Sequence, residues 1–223
     1  MPALLSYAIY INQSDQGEHK QIVIVQPNID PYEEKFDGMT PEKQFSRLLE
    51  MSIETITAET DYLVWPETAL QFSMWADRLN EHKAVQRLQQ FVALRPRLTI
   101  VTGIYAYQNY PDGAGASPTA RTYRDGRCCY DAFNSAIQID TSGVVPIYHK
   151  SKLVPGVERL PYPQLFGFLS NMAIDLGGIT GSLGTQDDRE VFFSKSRLGI
   201  APVICYESVF GEYVTEYIKN GAT

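Results

Sequence analysis

Between Lys20 and Thr102 the chain alternates three β-branched runs with two stretches of helical periodicity, and this alternation limits the possible folds more than any other feature. The runs are Lys20-Gln21-Ile22-Val23-Ile24-Val25-Gln26, ended by Pro27-Asn28; Asp61-Tyr62-Leu63-Val64-Trp65, ended by Pro66; and Leu98-Thr99-Ile100-Val101-Thr102, preceded by Pro96. Short apolar runs bounded by proline read as buried strands, because proline has no N–H to give to a ladder. Thr40-Pro41-Glu42 supplies an N-cap, a proline at the first helical position and an early acid, after which Phe45, Leu48, Leu49, Ile53 and Ile56 recur on one face. A second amphipathic stretch, from about Asp77 to Leu94, carries Leu79, Val85, Leu88, Phe91 and Val92. Strand and helix in alternation build an α/β protein whose strand ends face one site.

Beyond Thr102 the pattern changes. Asn109 to Arg127 is rich in Gly, Pro, Ser and Asp and reads as an exposed loop. Ala132 to Ile139 and Val144 to Tyr148 flank Asp140-Thr141-Ser142-Gly143, a hairpin signal. From Ser151 to Arg189 the periodicity weakens around Pro155, Pro161 and Pro163, an apolar patch at Leu165-Phe166-Gly167-Phe168-Leu169, and a glycine-rich stretch from Gly177 to Gly184. A loop of that length usually serves function. Leu198 to Ile204 then reads as a strand with Cys205 at its end, and Val209 to Asn220 as a helix closed by Gly221. With no internal repeat and no linker, 223 residues make one core.

Charge excludes one class of partner. The formal net charge is -7, and nucleic acid requires clustered Lys and Arg, so none is expected as a partner. The apolar N-terminal stretch Ala3 to Ile11 is too short to span a bilayer, lacks the features of a signal peptide, and reads as an ordered or frayed strand, with the end of a membrane helix as the alternative. Three cysteines, two of them adjacent (Cys128 and Cys129), suggest no disulfide framework. Their spacing and that of the three histidines fit no zinc pattern, and no metal or cofactor is expected.

Three stretches carry chemistry. Trp65-Pro66-Glu67, Tyr148-His149-Lys150 and Ile204-Cys205-Tyr206-Glu207 each place a reactive group at the end of a strand-like run. Alone, each has an ordinary reading: Glu67 as a solvated loop residue, Lys150 as surface charge, Cys205 as core packing. Together they form a nucleophilic acyl-transfer set. A thiol with an ordinary pKa of about 8.5 is mostly protonated at neutral pH and needs a base or a nearby cation. Glu67 can take its proton, and Lys150 can face the developing oxyanion. His149 alternates with Tyr148 and Lys150 and should point to the opposite face, which disfavours a Cys-His pair.

These motifs resemble those of the nitrilase (carbon–nitrogen hydrolase) superfamily, and Phe133-Asn134-Ser135-Ala136 is similar to that family's Tyr-Asn-Ser-Ala strand. The resemblance runs from about Gln21 to the C-terminus. It implies an α-β-β-α sandwich, incomplete at its C-terminal end, with residues 1–19 as a separate N-terminal segment, 20–223 as a truncated catalytic domain, and a lid over about 153–189 whose apolar part runs from Leu160 to Gly184. Within the superfamily, Val25-Gln26-Pro27-Asn28-Ile29, Val64-Trp65-Pro66-Glu67-Thr68-Ala69, Lys152-Leu153-Val154-Pro155 with Glu158, and Cys205-Tyr206-Glu207-Ser208 resemble the apolipoprotein N-acyltransferase branch. That implies Cys205 as the acyl carrier, Glu67 as general base and Lys150 as oxyanion partner, with Glu158, Tyr206, Glu207 and Asn134 supporting the site or binding substrate. It further implies a phospholipid acyl donor, a diacylated apolipoprotein acceptor, and a bacterial inner-membrane enzyme with a periplasmic catalytic domain, held in the membrane by segments outside this chain. A soluble amidase of the same superfamily is the alternative.

Overall fold

The computed structural model describes residues 2–12, 17–29, 38–123, 125, 128–155, 158, 183–195 and 197–223. Seven strands form a mixed sheet: β1 (Gln21–Ile24), β2 (Thr60–Val64), β3 (Leu70–Trp75), β4 (Thr99–Tyr110), β5 (Arg121–Thr122), β6 (Cys129–Ile139) and β7 (Ile147–His149). The order is β1-β2-β4-β6-β5, with β3 also on β4 and β7 also on β6. The two long strands, β4 and β6, are antiparallel throughout their pairing. On the outer side of β4, β2 and β3 lie end to end and parallel to it, Tyr62, Leu63 and Val64 opposite Thr99, Ile100 and Val101, then Leu70 opposite Ile104 and Trp75 opposite Tyr107. Residues 66–69 therefore sit in a break between two strands of one edge. On the outer side of β6, β5 and β7 likewise lie end to end, but antiparallel to it.

Helices cover one face of the sheet. The helix α2 (Pro41–Thr55) starts where the sequence places it, with the Thr40 hydroxyl accepting from the Lys43 N–H and Pro41 in the first turn. Its Phe45 and Leu48 pack with Val85, Leu88 and Val92 of α3 (Lys83–Ala93) on Leu63, Leu70, Ile100, Ile104 and Ile137 of the sheet. Each such side chain contributes about 1.5–3 kcal/mol by leaving water. The opposite face carries a second layer, built from the two-stranded sheet β8 (Phe192–Phe193) and β9 (Gly199–Ile200) and from α4 (Gly211–Lys219). Phe192, Ile204, Tyr213 and Tyr217 pack there on Ala136 and Tyr148. The result is the α/β fold expected from the strand and helix alternation, with the layers that the family resemblance implied.

Several local expectations need correction. Residues 2–12 form a helix, α1 (Pro2–Asn12), not a strand, and its side chains at 3–12 are all exposed; the run lacks the period-two alternation of a half-buried strand and is rich in good helix formers. The amphipathic stretch 77–94 is broken into a 3-10 helix (Ala76–Glu81) and α3, with the His82 ring accepting from the Ala84 N–H as a cap. Between Leu198 and Ile204 only Gly199 and Ile200 are strand, because β8 is just two residues long and Pro202 has no N–H to continue a ladder. The sulfurs of the adjacent Cys128 and Cys129 lie against each other where the chain enters β6, with their Cα atoms 3.8 Å apart. Most of the expected lid lies outside the described residues. Among the described residues no helix is long and apolar enough to cross a membrane.

Candidate active site

Glu67 occupies the break between β2 and β3. Pro66 ends β2, its carbonyl accepts from Ala69 N–H at 3.2 Å and from Gly103 N–H at 3.2 Å, and Thr68 takes a positive φ of 49°. Gly103 of β4 lies so close beneath this crossing that a Cβ there would stand 2.4 Å from Thr68 N and 2.7 Å from Glu67 Cα. Only glycine permits that approach. Lys150 follows β7 and is held by its own N–H, which donates to the Asn134 carbonyl at 2.8 Å. Asn134 is in turn paired with Tyr105 of β4.

The three strands thus bring a charged cluster together. The Lys150 ammonium, 1% exposed, donates to Glu67 Oε1 at 3.0 Å and to Glu158 Oε1 at 3.0 Å. The Asn134 side-chain amide donates to the same two oxygens, at 2.6 and 3.0 Å. Glu158 is fixed from its other oxygen, which accepts the Val154 N–H at 2.8 Å. Burial works against the ammonium, but the two carboxylates outweigh it and hold its pKa above the ordinary lysine value. Lys150 therefore stays a cation, suited to an oxyanion rather than to proton transfer. The Glu67 side chain keeps 35% exposure and so remains open to a reacting group.

Cys205 is a free, exposed thiol at the start of a 3-10 turn (Cys205–Val209). Its φ of 47° is in the left-handed region, an unfavourable state for a non-glycine residue that surrounding contacts must impose. Glu207 imposes it. This carboxylate is fully buried, and its Oε2 accepts the Ile204 N–H at 2.8 Å. Its Oε1 accepts from the Tyr148 hydroxyl at 2.6 Å, the Ser151 N–H at 2.6 Å, the Lys152 N–H at 3.3 Å and the Tyr213 hydroxyl at 3.1 Å. One side chain therefore ties the backbone entering Cys205 to the backbone leaving Lys150. Burial, then the charge of Glu67, pushes the Cys205 thiol up, while Lys150 and the Tyr206 N–H pull it down. The sulfur keeps its proton until a base removes it, and Glu67 is a carboxylate whose charge and hydrogen bonding act on it. Glu67 and Cys205 also border a cavity of about 500 Å³ with Val64, Val101, Ile200 and Ile204 among its other walls.

Glu67, Lys150, Glu158 and Asn134 thus converge in one hydrogen-bonded group, Cys205 is electrostatically coupled to it, and Glu207 underlies both. The Tyr206 ring instead stands edge-on to Phe210 at 5.2 Å, and among the described residues only its backbone N–H acts on the site. His149 points away, as alternation requires: its Nδ1 is 2.7 Å from the Ser135 hydroxyl and its ring stacks on Phe133. Sequence reasoning missed Gly103 and Tyr213. A glycine inside a β-branched strand signals close backbone approach, which was the available clue to the first; an aromatic on a helix face gave none to the second.

Comparison with known proteins identifies the family. The chain is 31% identical over 209 residues to apolipoprotein N-acyltransferase of Chlorobaculum tepidum, a match covering 91% of this chain and 38% of that one. It is 27% identical to apolipoprotein N-acyltransferase 1 of Treponema pallidum, covering 91% and 36%. The chain therefore spans little more than a third of these curated relatives. Among solved structures, a mutant of the amidase from Nesterenkonia sp. AN1, with the acetamide moiety of fluoroacetamide added covalently at its active-site cysteine, has a TM-score of 0.54 at 14% identity, covering 95% of this chain and 65% of that one. The family model described as carbon-nitrogen hydrolase matches residues 22–223, and the chain belongs to that family.

Proposed function

We propose that this chain is the catalytic part of an apolipoprotein N-acyltransferase, in which Cys205 carries a fatty acyl group between a phospholipid and a lipoprotein amine. The observation that carries the proposal is the convergence of Glu67, Lys150 and Cys205, a base, a cation and a strained exposed thiol, from three distant stretches. The names of the relatives and the apolar walls of the cavity beside Cys205 favour a lipid donor over a small amide.

In the first half-reaction Sγ attacks the ester carbonyl of the donor while Glu67 takes the thiol proton. The carbonyl oxygen becomes an anion facing Lys150. Collapse breaks the ester C–O bond; the departing lysophospholipid oxygen receives the proton from Glu67, and Cys205 is left as a thioester. In the second, the α-amine of a diacylglyceryl-cysteine attacks that thioester, Glu67 removes the amine proton, and the sulfur leaves and is reprotonated. One ester is broken and one amide is formed. The base is worth about 10²–10⁴-fold and the oxyanion contact about 10²–10³-fold. On this reading the enzyme sits in the bacterial inner membrane with the site on the periplasmic side, anchored through segments outside this chain.

The test is intact-protein mass spectrometry of the complete protein incubated with a phospholipid bearing a deuterated acyl chain, followed by addition of a diacylglyceryl-cysteine peptide. An acyl mass on Cys205 that moves to the peptide is the expected result. Hydrolysis of small amides with no acyl mass from lipid would favour the amidase alternative.

A further inference from the structure

The face of the sheet that carries the charged cluster extends well beyond it. Asn134, Ala132 and Tyr130 are alternate residues of β6 and share that face. Directly opposite them on β4 stand Tyr105, Tyr107 and Asn109; Trp75 of β3 is opposite Tyr107, and Arg121 of β5 is opposite Tyr130. The rings form a continuous strip: Trp75 to Tyr107 at 5.7 Å between centroids, Tyr107 to Tyr130 at 6.0 Å, and Tyr130 to Tyr123 at 4.7 Å. All four are half-buried, leaving ring surface in water. Tyr and Trp in such a strip are suited to a partner that is part apolar and part polar.

Arg121 stands beside this strip with an unmet requirement. Its Nη2 is sealed from water and has no hydrogen-bond partner, and Arg121 is in no ion pair among the described residues. Asp131, next to Tyr130, faces the other way and is taken up by the Ser117 and Thr119 hydroxyls at 2.6 and 2.9 Å. A buried donor left unpaired is costly and marks a place where a ligand can supply the acceptor. Tyr105 links this arginine to the catalytic cluster. Burial, then the charge of Glu158 with smaller contributions from Tyr107 and Glu67, pushes its phenol up, while Arg121 pulls it down.

We propose that Arg121 and the ring strip of Trp75, Tyr107 and Tyr130 form the subsite for the phosphodiester of the donor lipid, a deepening that rests on the acyltransferase reading. Guanidinium is matched to phosphate oxygens in charge and fork geometry. Tyr130 is four residues from Asn134 along β6, about 14 Å, so the strip starts beside the charged cluster and runs away from it along the same face of the sheet. The rings would cover the glycerol and headgroup.

Tryptophan fluorescence titration of this chain with dihexanoyl phosphatidylglycerol tests the subsite. Saturable binding is expected for the wild type, weakened roughly 10- to 100-fold in Arg121→Gln and partly restored in Arg121→Lys, as befits loss of a charge-assisted hydrogen bond. Dihexanoylglycerol, which lacks the phosphate, should bind weakly and equally to all three. Equal binding of phospholipid by wild type and Arg121→Gln overturns the proposal. So does saturation by inorganic phosphate that matches phospholipid in affinity, because the site would then be one for the free anion. Acyl mass on Cys205, read in parallel on the complete protein, separates the two claims. Acyl transfer with an unchanged donor KM in Arg121→Gln refutes the subsite alone, and Arg121-dependent lipid binding without acyl transfer refutes the acyltransferase reading alone.

Discussion

Replacing Glu207 with glutamine is the most informative perturbation of the fold around the site. The buried carboxylate accepts four hydrogen bonds on Oε1, from Tyr148, Tyr213 and the Ser151 and Lys152 N–H groups, and one on Oε2 from the Ile204 N–H. Glutamine keeps one carbonyl oxygen, which will face the four donors. Its NH₂ group then opposes the Ile204 N–H, donor against donor. A hydrogen bond to a charged group is worth about 1.5–3 kcal/mol, and a buried N–H left unpaired costs about 1–3 kcal/mol, with partial overlap between the two. Glu207→Gln should therefore lose about 2–5 kcal/mol. For a chain of this size each kcal/mol moves Tm by about 2–4 °C, so a thermal melt followed by circular dichroism should show a fall of roughly 4–20 °C. Alkylation of Cys205 by iodoacetamide should change with it, because the Ile204 N–H no longer holds Cys205 at positive φ. A Tm within about 1 °C of wild type with unchanged alkylation would refute the view that this carboxylate joins the Lys150 and Cys205 segments.

Two further outcomes follow from the geometry. Gly103→Ala places a methyl against the backbone of Glu67 and Thr68 and should cost about 3 kcal/mol or more in urea unfolding, whereas Gly211→Ala, where a Cβ meets nothing within 4 Å, should be neutral or slightly stabilising. His149 has its pKa driven down to about 4 by burial; below its ordinary value near 6.5 the unfolded chain binds the proton first, so His149 withdraws about 3 kcal/mol of stability as pH falls from about 6.5 to 4. His149→Asn should flatten that acid limb of the stability curve, and an identical pH dependence in the two proteins would contradict the assignment.

What could be read from the sequence depended on how local the cause was. The strand before Pro66 and the Thr40 cap of α2 are decided by residues within a few positions and stand where the sequence put them, whereas the strand before Pro27 is present but lies at the sheet edge with Ile22 and Ile24 exposed, not buried as expected. Glu67, Lys150 and Cys205 could be singled out as candidates because each follows a strand-like run in the sequence, and the structure puts the first two in hydrogen-bonding contact. Features that depend on distant partners were not. The short extent of β9 follows from the two-residue length of β8, which nothing within residues 198–204 reveals. Tyr213 matters only because α4 brings its hydroxyl to Glu207, and Gly103 only because the 66–69 crossing presses on it. The helix at Pro2–Asn12 shows the other limit: an apolar run without clear period is ambiguous between helix and strand.

The central claim is that Glu67, Lys150 and Cys205 act on one another in a single site, and the pH dependence of Cys205 alkylation measures this directly. Glu67 raises the thiol pKa and Lys150 lowers it. Relative to wild type, Glu67→Gln should move the alkylation midpoint to lower pH and Lys150→Met should move it to higher pH. The same midpoint in all three proteins would show that these groups do not sense one another, and the proposed chemistry would lose its basis.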